Sequence, residues 1–183
     1  MRTPKSLFAT LLVVAIGLLC LLPSAGAAKR AARCGDVFQS PAWATDHQLR
    51  TSILCLINRA RARHGIRPLR FNFALRRSAT GHSLSLVRSG SFSHYGPSGS
   101  TPTIRAAHAG YLAHASSYRI AENIATGGGR QFGSPAAIVA LWMHSPPHRA
   151  NILDRRLRDF AVGVARSGRD AAMYTLAFGS RGH

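Results

Sequence analysis

The chain has 183 residues, with 24 Lys and Arg against 6 Asp and Glu, a formal charge of +18 and 46% hydrophobic residues. That length holds one domain of ordinary size. It excludes a large α/β enzyme and a long repeat array, and the apolar share excludes wholesale disorder. Lysine occurs only at Lys5 and Lys29, so the positive charge is nearly all arginine, and Glu122 is the only glutamate.

At the N-terminus, basic Arg2 and Lys5 precede an apolar run over residues 7–22 and then Pro23-Ser24-Ala25-Gly26-Ala27. This is the pattern of a secretory signal peptide, over residues 1–27 and cleaved near Ala27. The apolar run is about 16 residues, short of the roughly 20 that a spanning helix needs. A secreted, extracellular chain is expected. Removal of residues 1–27 takes Arg2 and Lys5 and leaves 22 basic and 6 acidic residues, a charge of +16. That charge favours anionic cell-surface polymers or lipids as partners, and export makes nucleic acid a poor one. Cys20 leaves with the signal. Cys34 and Cys55 remain, and an even pair in an exported chain is expected to form one disulfide. It would close a loop of about 20 residues, worth roughly 3 kcal/mol.

Residues 28–47 lack periodicity and are expected to be an extended lead-in. Over 48–64, Ile53, Leu56, Ile57 and Ala60 form one helical stripe, with Arg59, Arg61 and Arg63 off it. Gly65 supplies the stop. A second helix is expected over 73–89, with Leu75, Ala79, His82 and Leu86 inward and Gly90 ending it. Gly81 inside that helix costs about 1 kcal/mol relative to alanine and suggests close packing there. Residues 91–101 are a loop by turn chemistry, followed by a short helix over 102–109. The first strand is expected over 118–126, with Gly127-Gly128-Gly129 as a flexible link. Ser134-Pro135 is an N-cap and first-turn proline. The helix after it carries Ile138, Leu141 and Trp142 inward and stops before Pro146-Pro147. A short turn over 149–153 and two strands, 160–166 and 173–178, joined at 168–170, complete the chain. Helices first and strands last indicate an α+β layered domain, not a doubly wound sheet.

Three residues stand out for chemistry. His94 sits in a Gly/Pro/Ser loop, where an imidazole is exposed. His148 follows a helix end. Glu122 interrupts an apolar strand, where a buried carboxylate needs a partner. Two neutral imidazoles and one carboxylate suit a zinc ion with an open position, or an acid/base group beside a metal. The alternatives are a Glu122 that pairs with an arginine, or a buried polar network of Glu122 with a histidine. His82 is expected to be a hydrogen-bonded core histidine. His144 and His148 have i, i+4 spacing, but Pro146 and Pro147 interrupt the helix between them.

Ile57-Asn58-Arg59-Ala60-Arg61 with Gly65 and Pro68-Leu69 resembles the opening helix of the CAP superfamily. That superfamily holds cysteine-rich secretory proteins, antigen 5 and plant pathogenesis-related proteins, and the resemblance is to its bacterial SCP-like branch. The similarity continues in order through Phe92-Ser93-His94, Arg105 with Gly110-Tyr111, and Glu122-Asn123-Ile124-Ala125. It then passes through the segment from Trp142 to Leu153, and ends at Gly163-Val164 and Phe178-Gly179. It covers about residues 50–180 and places the domain at 48–181. The resemblance implies an α-β-α sandwich. It implies a cleft lined by His94, Glu122, Ser145, His148 and Asn151, with His94 and His148 as ligands of zinc or another divalent cation. The family's second glutamate falls at Ser145 here, so its set of two histidines and two glutamates is incomplete. Family members usually carry Asn at the position of His144 and Gly at that of Pro147. His144 is a conceivable substitute ligand.

Three functions are therefore expected, in this order. The first is a binding module for a small hydrophobic or cell-wall-derived ligand, as the resemblance implies. The second is a metal-assisted, peptidase-like hydrolase with Glu122 as general base. The third is an interaction protein with no chemistry in its cleft. Non-catalytic function is favoured over hydrolysis, since no Ser/His/Asp order is visible. A monomer is expected.

Overall fold

The computed structural model describes residues 34–182. The expected signal peptide and the first residues of the lead-in lie outside the described residues. The remainder of the lead-in, expected to be extended, turns at Ser40, whose carbonyl accepts from Trp43 and Ala44. It is tied down over its length. The Cys34–Cys55 disulfide holds its start to the first helix. Arg166 donates to the carbonyls of Pro41 and Ala44, and the Ala42 amide donates to Asp170.

Helix α1 (Asp46–Arg63) starts two residues earlier than the apolar stripe suggests. Thr45 and Gln48 form a reciprocal capping box that satisfies the first-turn donors. After strand β1 (Arg70–Phe71), helix α2 (Phe73–Ser89) runs between the expected ends. Asn72 accepts from the Ala74 and Leu75 amides, and Gly90 closes the helix at φ 65°. A 3₁₀ turn (Pro97–Gly99) precedes helix α3 (Pro102–His108), capped by Thr101. Strand β2 (Ser117–Gly128) is longer than expected. Gly127 and Gly128 continue the ladder opposite Ala172 and Ala171 and are no flexible link. A Cβ on Gly127 would lie 2.0 Å from the Phe132 carbonyl oxygen, so glycine lets the chain fold back there. Helix α4 (Gly129–Gly133) makes that reversal.

Helix α5 (Pro135–His144) turns Ile138, Val139 and Trp142 inward, while Leu141 is 48% exposed and corrects the expected inner face. The segment expected as a short turn is helix α6 (Pro146–Leu153). Pro146 and Pro147 end α5 and start α6, because a first helical turn has no use for their missing N–H groups. Strands β3 (Asp159–Arg166) and β4 (Ala171–Gly182) form the terminal hairpin.

Among the described residues the strands form one sheet in the order β1-β3-β4-β2, parallel only between β1 and β3. Its two faces differ in side-chain size. Phe160, Val162, Val164, Tyr174, Leu176 and Phe178 pack on one side against α1, α5 and α6. Ala161 and Ala177 face Leu75 and Ala79 of α2 and Ala106 of α3 on the other. The result is an α-β-α sandwich with a thick core layer and a thin one.

The thin layer forces close approach. A Cβ on Gly163 would lie 2.2 Å from the carbonyl of Ala79. The close packing expected at Gly81 is therefore found at Gly163, since a Cβ on Gly81 would meet nothing within 4 Å. Arg61 is also not off the buried stripe. It is fully buried and donates to the carbonyls of Arg67 (3.0 Å), Ile152 (2.7 Å) and Asp154 (3.0 Å). It thus caps the C-terminal end of α6, where the helix dipole favours a cation.

Candidate functional site

The pairing of β2 with β4 sets Glu122 opposite Ala177, on the thin face beneath α2 and α3. Its neighbour Asn123, opposite Leu176, points to the α6 side. One strand therefore serves two polar clusters through consecutive residues.

The Glu122 carboxylate is nearly dry, with its side chain 2% exposed. Both oxygens are engaged. Arg105 Nη2 of α3 donates to Oε2 at 2.7 Å, and His94 Nδ1 donates to Oε1 at 2.9 Å. A carboxylate only accepts, so His94 carries its proton on Nδ1 and keeps a lone pair on Nε2. Arg105 also donates through Nη1 to the His94 carbonyl at 3.1 Å and to the Ser100 carbonyl. One guanidinium thus holds the carboxylate and the loop that presents His94. Sequence reasoning reached a need for a partner at Glu122 and raised an arginine or a histidine as alternatives. The structure has both at once.

His82 on α2 is the hydrogen-bonded core histidine expected. It is fully buried, with Nε2 3.0 Å from the Ser93 carbonyl and 3.6 Å from Glu122 Oε1. Burial pushes its pKa below the ordinary 6.5, against the pull of Glu122 and with the help of Arg105 and His94. It is neutral, with the proton on Nε2, and Nδ1 is buried without a partner.

His148, on α6, is tied to β2 through its backbone. Its carbonyl accepts from Asn123 Nδ2 at 3.0 Å, and Asn151 Nδ2 donates to Asn123 Oδ1 at 2.9 Å and to the Glu122 carbonyl at 3.3 Å. These bonds bracket α6 against the strand. Asn151 uses its amide donors in this bracket. The His148 imidazole has a buried, unpartnered Nδ1, and its pKa is lowered by burial and by its electrostatic interaction with His94. Ser145 is the residue before α6, and its hydroxyl makes no capping bond. His144 Nδ1 is tied to the Ala140 carbonyl at 2.8 Å.

Zinc at a catalytic site takes three protein ligands. Among the described residues no three His, Cys, Asp or Glu side chains are grouped to hold an ion. Glu122 is already bound on both oxygens. What the cluster does have is the outer shell of such a site, a carboxylate that orients an imidazole and leaves its second nitrogen open. For nucleophilic chemistry Ser93 is a poor candidate, because its hydroxyl accepts the Tyr95 amide at 3.0 Å.

The layered fold agrees with the comparisons. Residues 54–178 match the model of the CAP, or cysteine-rich secretory protein, family, and the chain belongs to that family. It is 32% identical over 114 residues to the uncharacterized protein YkwD of Bacillus subtilis (strain 168), an alignment over 62% of this chain and 41% of that protein. The chain thus spans about two fifths of the length of that curated relative. An extracellular SCP-domain protein from Bacillus anthracis str. Ames superposes with a TM-score of 0.60 at 25% identity, covering 74% of this chain and 43% of the other. An outer surface protein from Borrelia burgdorferi gives 0.59 at 18%, covering 71% and 90%. The latter shows likeness of fold alone.

Proposed function

We propose that this chain is an extracellular binding module. His94 and His148 present open imidazole nitrogens to a small ligand, and Glu122 is a structural clamp instead of a general base. The observation that carries this reading is the double engagement of Glu122 by Arg105 and His94. A general base needs a free lone pair directed at water, and both Glu122 oxygens already accept from Arg105 and His94. Phe92 and Tyr95, exposed on either side of His94, offer apolar contact to a hydrophobic or wall-derived ligand. The extracellular placement draws on the N-terminal sequence and on the description of the Bacillus anthracis relative.

The test is extraction and mass analysis of small molecules held by the purified chain, with His94→Ala and His148→Ala in parallel, plus a zinc chloride titration. An amphiphile retained by the parent and lost from both variants is expected, with zinc bound weakly. A peptide turnover that Glu122→Gln abolishes in a folded chain would overturn the reading in favour of the hydrolase.

A further inference from the structure

Beyond the cleft, the outer face of α2 carries a run of hollows that share one floor residue, Gly81. The largest, about 640 Å³, lies between α2, the 3₁₀ turn and α3, with Arg77 on one wall and Arg105 and His108 on the other. A second continues past Pro97 to Arg88 at the end of α2. A third extends the other way through Arg76 to Arg50 of α1. No carboxylate lines any of the three. Arg77, Gly81 and Arg88 fall on one face of α2, and the two arginines stand about three turns, or about 16 Å, apart. Gly81 opens the passage, since its position has free space where other residues carry a side chain.

Arg105 is committed to Glu122 and to the His94 and Ser100 carbonyls, and the charges left for a ligand are those of the other arginines. Arg50 and Arg88 have no hydrogen-bond or ion-pair partner among the described residues, and Arg77 commits one nitrogen to the Ala109 carbonyl at 2.6 Å. We propose that this groove binds a linear, phosphodiester-linked polymer whose repeating units carry no aromatic base. A phosphodiester offers two free oxygens, which the fixed fork of an arginine matches. The three hollows have no Phe, Tyr or Trp on which bases could stack, unlike single-strand nucleic acid grooves. The extracellular origin of the polymer rests on the function proposed above. The binding itself does not, because it is independent of His94 and His148.

The test is titration of the purified full chain with synthetic poly(glycerol phosphate) across a salt series. Polygalacturonate, phosphatidylglycerol vesicles and oligothymidylate of matched charge serve as competitors. Arg50→Ser/Arg88→Ser is expected to weaken binding about tenfold and to flatten the log–log salt slope by about 1.4, or roughly 0.7 per lost contact. Arg63→Ser/Arg169→Ser removes the same charge elsewhere and is expected to change affinity less than about twofold. Gly81→Gln plugs the passage without altering charge and is expected to weaken binding about fivefold while the fold is kept. Equal loss in the two double variants, or unchanged binding by Gly81→Gln, overturns the groove. Stronger binding of the uronate, the vesicles or the oligonucleotide overturns the choice of polymer. His94→Ala is expected to leave all of this unchanged.

Discussion

Arg105 and Glu122 meet at 2.7 Å in a pocket where the carboxylate side chain is 2% exposed. A charge that dry is tolerated only with its partner in place. Arg105→Met is therefore expected to destabilise the fold by about 3 kcal/mol or more, because His94 alone is left to answer the carboxylate. The double variant Arg105→Met/Glu122→Gln is expected to recover part of that loss, since no charge remains buried. Denaturant unfolding of the four chains measures the coupling. Effects that add within about 0.5 kcal/mol would mean that the two residues act independently.

Local signals carried much of this fold. Asn72 and Gly90 bound α2 by side-chain capping and a left-handed φ, both written in adjacent residues. The need of Glu122 for a partner was equally visible in its apolar surroundings. The identity of that partner was not, because Arg105 lies 17 residues away on a helix that only the tertiary fold brings over β2. Arg61 shows the same limit. It occupies a helical position that looks solvated, yet the carbonyls that receive it belong to residues about 90 positions later. Pro146-Pro147 misled for another reason. A proline pair stops one helix and starts the next with the same chemistry, and spacing alone does not separate the two. Val139 replaced Leu141 inside because the buried face is the one stripe of Pro135, Ile138, Val139 and Trp142, and Leu141 falls outside it.

The two histidines with lowered pKa make stability depend on pH. His82 is surrounded by Glu122 from β2, Arg105 from α3 and His94 from the loop, and burial outweighs the attraction of Glu122. His148 is lowered by burial and by His94. Unfolded chains protonate both near 6.5, while the native chain resists until lower pH. The unfolded state then binds more protons, so stability is full above about pH 7.5 and falls as pH drops through 6.5 toward the native values. The slope is at most about 1.4 kcal/mol per pH unit for each histidine. Unfolding midpoints between pH 7.5 and 5 check this, with His82→Gln expected to flatten the curve. Equal stability at both ends of the range would mean that His82 is charged in the native state.

The site exists because α2 lies close to the sheet, and that closeness depends on one residue. On Gly163 of β3 an added Cβ would stand 2.2 Å from the Ala79 carbonyl and 2.4 Å from the Thr80 amide. Both are backbone atoms, so no side chain can turn aside. Gly163→Ala must push α2 outward, and with it His82, which leaves the reach of Ser93 and Glu122. The expected loss is about 3 kcal/mol, the upper end for overpacking. Gly81→Ala, two residues past Ala79 on the same helix, is the matched control. Nothing lies within 4 Å of its added Cβ, so helix propensity alone acts and is expected to add about 0.5–1 kcal/mol. Denaturation midpoints should therefore move in opposite directions for the same chemical change on facing elements. A lower midpoint for Gly81→Ala would show that the floor of the groove is not open, and a neutral Gly163→Ala would show that α2 can retreat without cost.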